Sequence, residues 1–145
     1  DELIGLIINK WQQQYNWVKF IIKIEHEEKI KISYDLLMVI LDNLILNSIQ
    51  NNEEASGLSI TIELNYRDGN LNLVYFDNGK GLDVKYKDKP EKILNVHETT
   101  REDGHGLGMW MVSNTIYKLG GEIKINPNYQ GFYLSASLLI NESEE

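Results

Sequence analysis

Around most of a helical circumference, residues 34–50 carry apolar side chains: Leu36, Leu37, Val39, Ile40, Leu41, Leu44, Ile45, Leu46 and Ile49. A helix clad this broadly is a buried one. Upstream, Leu3, Ile4, Leu6, Ile7, Ile8, Trp11 and Tyr15 give residues 3–15 one wide apolar face, which predicts a second helix lying against the core. Between the two, residues 18–25 are rich in β-branched and aromatic side chains. A charged turn, EHEEK, separates them from a short β-type run at 30–33, and the pair reads as a hairpin.

The polar cluster 51–57 ends the long helix, and the period then changes to two. Residues 58–66 and 71–76 alternate on either side of Arg67, Asp68, Gly69 and Asn70, whose Asp-Gly pair predicts an antiparallel hairpin. Residues 77–108 are charged, glycine-bearing and aperiodic over a span too long for a simple connection, which points to a functional loop. Helical spacing resumes at 109–119, stops at Gly120 and Gly121, and gives way to strands at 122–126 and 132–140. Hairpins interspersed with helices, rather than strict β-α-β alternation, predict an α+β fold: a two-layer α/β sandwich with a mixed, mostly antiparallel sheet and helices on one face. The whole span 1–145 fits one domain, with no repeat or linker in it.

Charge and composition narrow the chemistry. Lysine and arginine total 14 against 22 aspartates and glutamates, a net charge of −8 that opposes docking onto nucleic acid or an anionic membrane. Any phosphate must therefore be held locally. With no cysteine there is no disulfide, thiolate metal site or cysteine nucleophile, and a reducing, cytoplasmic setting is expected. The apolar runs fall well short of the roughly 20 residues of a membrane span, and the acidic start at Asp1 is unlike a signal peptide.

Three segments carry candidate chemistry. In the long helix Asn43, Asn47 and Gln50 lie four and then three residues apart and form one narrow polar stripe on an otherwise apolar cylinder. Buried amides need partners, so the stripe faces either loop backbone or a polar ligand. In YFDNGKGLD a strand ends at Asp77, and Gly79 and Gly81 follow directly. This is either an ordinary turn or a place where a ligand lies on bare backbone beside a fixed carboxylate. Such a carboxylate accepts the amine of adenine and rejects the carbonyl of guanine. In HETTREDGHGLGMWMV, Gly104, Gly106 and Gly108 alternate just before a helix, whose free amides suit an anion. Neither a Gly-x-x-x-x-Gly-Lys-Ser/Thr loop nor a strand running into Gly-x-Gly-x-x-Gly is present, which sets aside the P-loop and Rossmann readings.

In this order and spacing the three segments resemble the N, G1 and G2 boxes of the Bergerat-fold ATPases, the superfamily of gyrase, the heat-shock chaperone, histidine kinases and the mismatch-repair protein. The histidine kinase branch matches best: DNLILNSIQ is similar to its Asn-Leu-x-x-Asn-Ala box, DNGKG to Asp-x-Gly-x-Gly, and TTREDGHGLGM to Thr-Thr-Lys/Arg followed by Gly-x-Gly-Leu-Gly. The resemblance covers residues 18–140 and implies a catalytic domain using ATP and Mg2+. It assigns the metal to Asn47, and the phosphates or an activated water to Asn43. Asp77 would read the adenine amine, with Gly79 and Gly81 beside the base. The run Gly104, His105, Gly106, Leu107, Gly108 would wrap the phosphates. Residues 82–103 would form the ATP lid, in which Thr99, Thr100 and Arg101 match the family run and Arg101 meets the γ-phosphate.

Several positions depart from that pattern. Gln50 stands where a basic residue is usual, Phe132 follows Gly131 where threonine is usual, and ILNVHE replaces a phenylalanine-rich lid segment. None of His26, His97 and His105 has the setting of a phosphoacceptor. The acceptor is expected on a separate dimerisation domain upstream of Asp1, with residues 1–17 as the connecting helix and a response regulator as the further partner. Two alternatives stay open: a module that binds ATP without transferring it, and a hydrolytic ATPase of the gyrase or chaperone type. Against the latter, Asn43 stands where those enzymes carry a water-activating glutamate.

Overall fold

A computed structural model describes residues 2–26, 34–82, 86–94 and 108–139. Helix α1 (Glu2–Gln14) leads into strand β1 (Lys19–His26), and helix α2 (Tyr34–Gln50) precedes the hairpin of β2 (Ser59–Arg67) and β3 (Asn70–Asp77). Helix α3 (Gly108–Lys118) is followed by β4 (Glu122–Ile125) and β5 (Tyr133–Leu139). Short 3-10 helices occupy Glu54–Ser56 and Pro90–Leu94.

The sheet has the order β1-β2-β3-β5-β4. Asp68 and Gly69 both adopt positive φ, 53° and 78°, so the turn has the twist that suits a two-residue hairpin, with Arg67 opposite Asn70. β3 with β5 and β4 with β5 are also antiparallel. β1 runs parallel to β2 along its full length, from Lys19 opposite Ser59 to His26 opposite Tyr66. α2 therefore crosses between two parallel strands, and residues 30–33, the second half of the hairpin expected with 18–25, lie outside the described residues. Long-range pairing of this kind is invisible to a local period.

Alternation sorts the strands into two faces. Ile60, Ile62, Leu64 and Tyr66 of β2 and Leu71, Leu73, Tyr75 and Asp77 of β3 point inward, all buried, with Leu134, Ala136 and Leu138 of β5 beside them. Against this face lie Leu37, Ile40, Leu41, Leu44, Ile45 and Ile49 of α2, Met109, Val112 and Ile116 of α3, and Ile4, Ile7, Ile8 and Trp11 of α1. The result is the two-layer α+β sandwich the periodicities predict. α2 is apolar nearly all round and is held within the helical layer, with Ser48 near its C-terminal end bonded to Asp77 where β3 stops.

α1 docks through Asp42 of α2, which accepts a hydrogen bond from Trp11 Nε1 and an ion pair from Lys10 at 2.8 Å. Trp11 is buried and stacks on Tyr15 at 5.6 Å between ring centroids, whereas the Lys10 side chain is about half exposed. The indole bond therefore outweighs the screened ion pair. In urea titrations, Asp42→Ala is expected to cost about 1–2 kcal/mol of stability, and Lys10→Ala less than about 0.5 kcal/mol.

Candidate functional site

Asp77, the last residue of β3, is the polar centre of the inner face. It is 2% exposed, and its carboxylate meets three donors. Oδ1 accepts the backbone N–H of Gly79 at 2.9 Å and of Phe132 at 3.1 Å, and Oδ2 accepts the Ser48 hydroxyl at 2.6 Å. A carboxylate offers about four acceptor directions. Oδ1 is filled, and one direction on Oδ2 is open among the described residues.

Ser48 belongs to α2 and is itself buried, so this single bond ties the asparagine-bearing helix to the end of the sheet. Its neighbour Asn47 is also buried at 9% exposure, while Asn43 and Gln50 are half-buried. Asn43 Nδ2 donates to the Val39 carbonyl one turn back at 2.7 Å. That bond turns the amide oxygen outward, and a Cβ on Gly108 would meet it at 3.4 Å. The N-terminal end of α3 thus starts beside Asn43, and the first amides of a helix, which have no partner within it, suit an anion. The helix begins one residue earlier than its apolar spacing suggests.

The loop after β3 is fastened to α2. Asn52 donates to the Ser48 carbonyl at 2.7 Å and accepts the N–H of Lys80 at 3.0 Å, and a Cβ on Gly79 would lie 2.4–2.6 Å from the Asn52 amide. Asn78 accepts from Ser59 N at 2.7 Å and donates to the Gly57 carbonyl at 3.2 Å. Gly81 has φ +77° and runs against the carbonyls of Gln130 and Gly131. Intramolecular packing alone thus accounts for the glycines at 79 and 81.

Behind Asp77 lies Tyr75, fully buried, with its hydroxyl 2.7 Å from Ser48 Oγ and 3.0 Å from the Leu44 carbonyl. Burial pushes this hydroxyl well above the ordinary tyrosine range against the pull of the Ser48 hydrogen bond, and the nearby Asp77 charge adds to the rise. It therefore remains a donor.

Of the predicted site residues, the structure brings Asn43, Asn47, Gln50, Asp77, Gly79, Gly81 and Gly108 to one end of the sandwich. Thr99, Thr100, Arg101, Gly104, His105, Gly106 and Leu107 lie outside the described residues. At the base of the 82–103 span, Leu82, Tyr86, Pro90 and Leu94 are buried, and the Ser113 hydroxyl reaches the Leu94 carbonyl at 3.4 Å, so a short 3-10 helix anchors that stretch to α3. Ser48, Asn52, Tyr75 and the Phe132 amide escaped the sequence reading. A serine in an apolar helix, two residues before the helix ends, is the one signal that points to them.

A buried aspartate closing a strand and bonded to an asparagine-bearing helix, whose Asn43 lies beside the start of α3, is the arrangement of a nucleotide-binding ATPase domain. The chain belongs to the family described as histidine kinase-, DNA gyrase B-, and HSP90-like ATPase, whose model matches residues 32–142. It is 35% identical over 101 residues to the sensor histidine kinase ZraS of Salmonella typhimurium, covering 68% of this chain and 20% of that protein. It is 28% identical over 102 residues to the C4-dicarboxylate transport sensor protein DctB of Rhizobium meliloti, covering 68% of the chain and 16% of that protein. The chain thus spans about a fifth of the curated relatives it matches. In fold it is similar to the catalytic domain of histidine kinase ThkA, with a TM-score of 0.77 over 99% of this chain and 94% of that one at 19% identity. The mycobacterial sensor histidine kinase MprB gives 0.75 over 95% and 93% at 17% identity.

Gly131 bears on the site most directly, because a Cβ there would fall 1.9 Å from the Asp77 carbonyl oxygen. Gly131→Ala is expected to cost about 3 kcal/mol in chemical denaturation. Gly5→Ala, inside α1 with nothing within 4 Å, is expected instead to gain about 0.5–1 kcal/mol.

Proposed function

We propose that this domain binds Mg-ATP and donates the γ-phosphoryl group to a histidine on a separate dimerisation domain, as one half of a two-component signalling kinase. The observation that supports this best is the Asp77 carboxylate, saturated on one oxygen and left with a single open acceptor direction on the other. An acceptor fixed in that way selects an exocyclic amine over a carbonyl. The nearby amides complete the chemistry. The Asn47 side-chain oxygen is a hard donor of the kind Mg2+ takes, and no cluster of three or more acidic or histidine side chains among the described residues offers another metal site.

The metal, when bound, would neutralise charge on the β- and γ-phosphates. This chain's own residues do the positioning. Asn43 and the N-terminus of α3 would flank the phosphates, and by the family resemblance Gly104 to Gly108 would wrap them, Arg101 would supply a charge-assisted donor to the γ-phosphate, and Thr99, Thr100 and Gln50 would belong to the same nucleotide site. Transfer is favoured over hydrolysis by Asn43, because an amide has no basic lone pair with which to activate water.

The acceptor histidine, the response regulator and a place on the cytoplasmic side of a sensor complete the reading. Support for it comes from similarity to sensor kinases and from the described helices, none of which is long and apolar enough to cross a membrane.

Calorimetry with Mg-ATP tests the pocket. Asp77→Asn keeps the shape but turns an acceptor into a donor, and is expected to weaken ATP at least about hundredfold. Asn47→Ala should weaken Mg-ATP while leaving metal-free ATP nearly unchanged. Equal affinities in all three proteins would remove the assigned site. When a histidine-bearing dimerisation domain is supplied with γ-labelled ATP, label is expected on that domain; binding without transfer would favour a sensing module.

A further inference from the structure

The structure assigns Ser48, backed by Tyr75, as the positioning residue that orients the Asp77 carboxylate and sets the base selectivity of the site. This rests on the ATP-binding reading above and specifies which group enforces it.

Three contacts link these groups: Tyr75 OH to Leu44 O at 3.0 Å, Tyr75 OH to Ser48 Oγ at 2.7 Å, and Ser48 Oγ to Asp77 Oδ2 at 2.6 Å. Two hydroxyl protons must serve all three. A carboxylate oxygen 2.6 Å from Ser48 Oγ demands the serine proton, since two bare oxygens at that separation would repel. Ser48 is then left with lone pairs only toward Tyr75, whose one proton is shared between Ser48 Oγ and the Leu44 carbonyl. The Leu44 carbonyl, in the interior of α2, accepts the helix ladder bond as well and so holds the phenol in place beside Ser48. The relay therefore runs one way, from Tyr75 through Ser48 to Asp77. Burial keeps the phenol protonated and so maintains that direction.

Orientation is the consequence. The two backbone N–H bonds to Asp77 both land on Oδ1 and leave the carboxylate plane free to tilt about that oxygen. The Ser48 bond holds the opposite oxygen and fixes the plane. With the plane fixed, the one remaining direction on Oδ2 is aimed at a single position, where an amine is accepted and a carbonyl is repelled. The box that the segment resembles ends in alanine at this position, so Ser48 adds a contact beyond the pattern and Ser48→Ala leaves a side chain the helix accommodates.

The test compares Mg-ATP with Mg-inosine triphosphate, which carries a carbonyl in place of the amine, by calorimetry on wild type, Ser48→Ala and Tyr75→Phe, with thermal unfolding as a folding control. Wild type should prefer ATP by about hundredfold. Ser48→Ala is expected to lose about tenfold in ATP affinity while inosine triphosphate is unchanged, so the preference falls by the same factor. Tyr75→Phe should lower it in the same direction by a smaller factor. Equal losses for both nucleotides, or an unchanged preference in either variant while wild type still binds ATP, overturn the relay alone. Failure of wild type to bind ATP overturns the proposed function and this inference together.

Discussion

Everything at the working end of this domain depends on how one carboxylate is kept inside it. An aspartate at 2% exposure without partners would cost several kcal/mol. The fold brings three donors to it from three places: a helix at Ser48 and the residue before the last strand, Phe132, both distant in sequence, and the turn after its own strand at Gly79. Meeting that demand constrains the neighbours. Gly131 must lack a side chain because it passes directly beneath Asp77, and the loop at 78–81 must hug α2, where Asn52 secures it. A carboxylate held in this way is fixed before any ligand arrives, which is the condition the proposed base selectivity requires.

The apolar layer does the remaining positioning. α2 is submerged against β2 and β3, so its depth and rotation are set by Leu41, Leu44 and Ile45, all fully buried. That same rotation presents Ser48 to Asp77 and carries Asn43 to the first residue of α3. Packing and chemistry are thus one constraint: a shift of α2 large enough to repack its core would also break the bond to Asp77. The parallel pairing of β1 with β2 follows from the same arrangement, because α2 serves as the crossover that returns the chain to the same sheet.

Much of this was legible in the residues. The bounds of α2 and the hairpin around Asp68-Gly69 follow from clear periods and a turn pair with its own backbone preference. Asp77 stood out as the polar end of an alternating strand. The parallel β1–β2 pairing did not, because strand partners far apart leave no local trace. The 3-10 helix at Pro90–Leu94 was hidden in a stretch with no period. Ser48 and Tyr75 were passed over because each looks ordinary alone, a small residue in a helix and an aromatic in a strand. Only three-dimensional proximity makes them a relay. Gly79 and Gly81 were legible as positions needing glycine, yet the contacts that require it come from Asn52 and from residues 130–131, which no spacing reveals.

The most direct test of the account is an experimental structure of the domain with magnesium and a non-hydrolysable ATP analogue. The account predicts the adenine amine within about 3 Å of Asp77 Oδ2, with Ser48 still bonded to that carboxylate and Asn47 on the metal. A purine seated elsewhere, or one whose amine points away from an Asp77 closed only by its own chain, would contradict it.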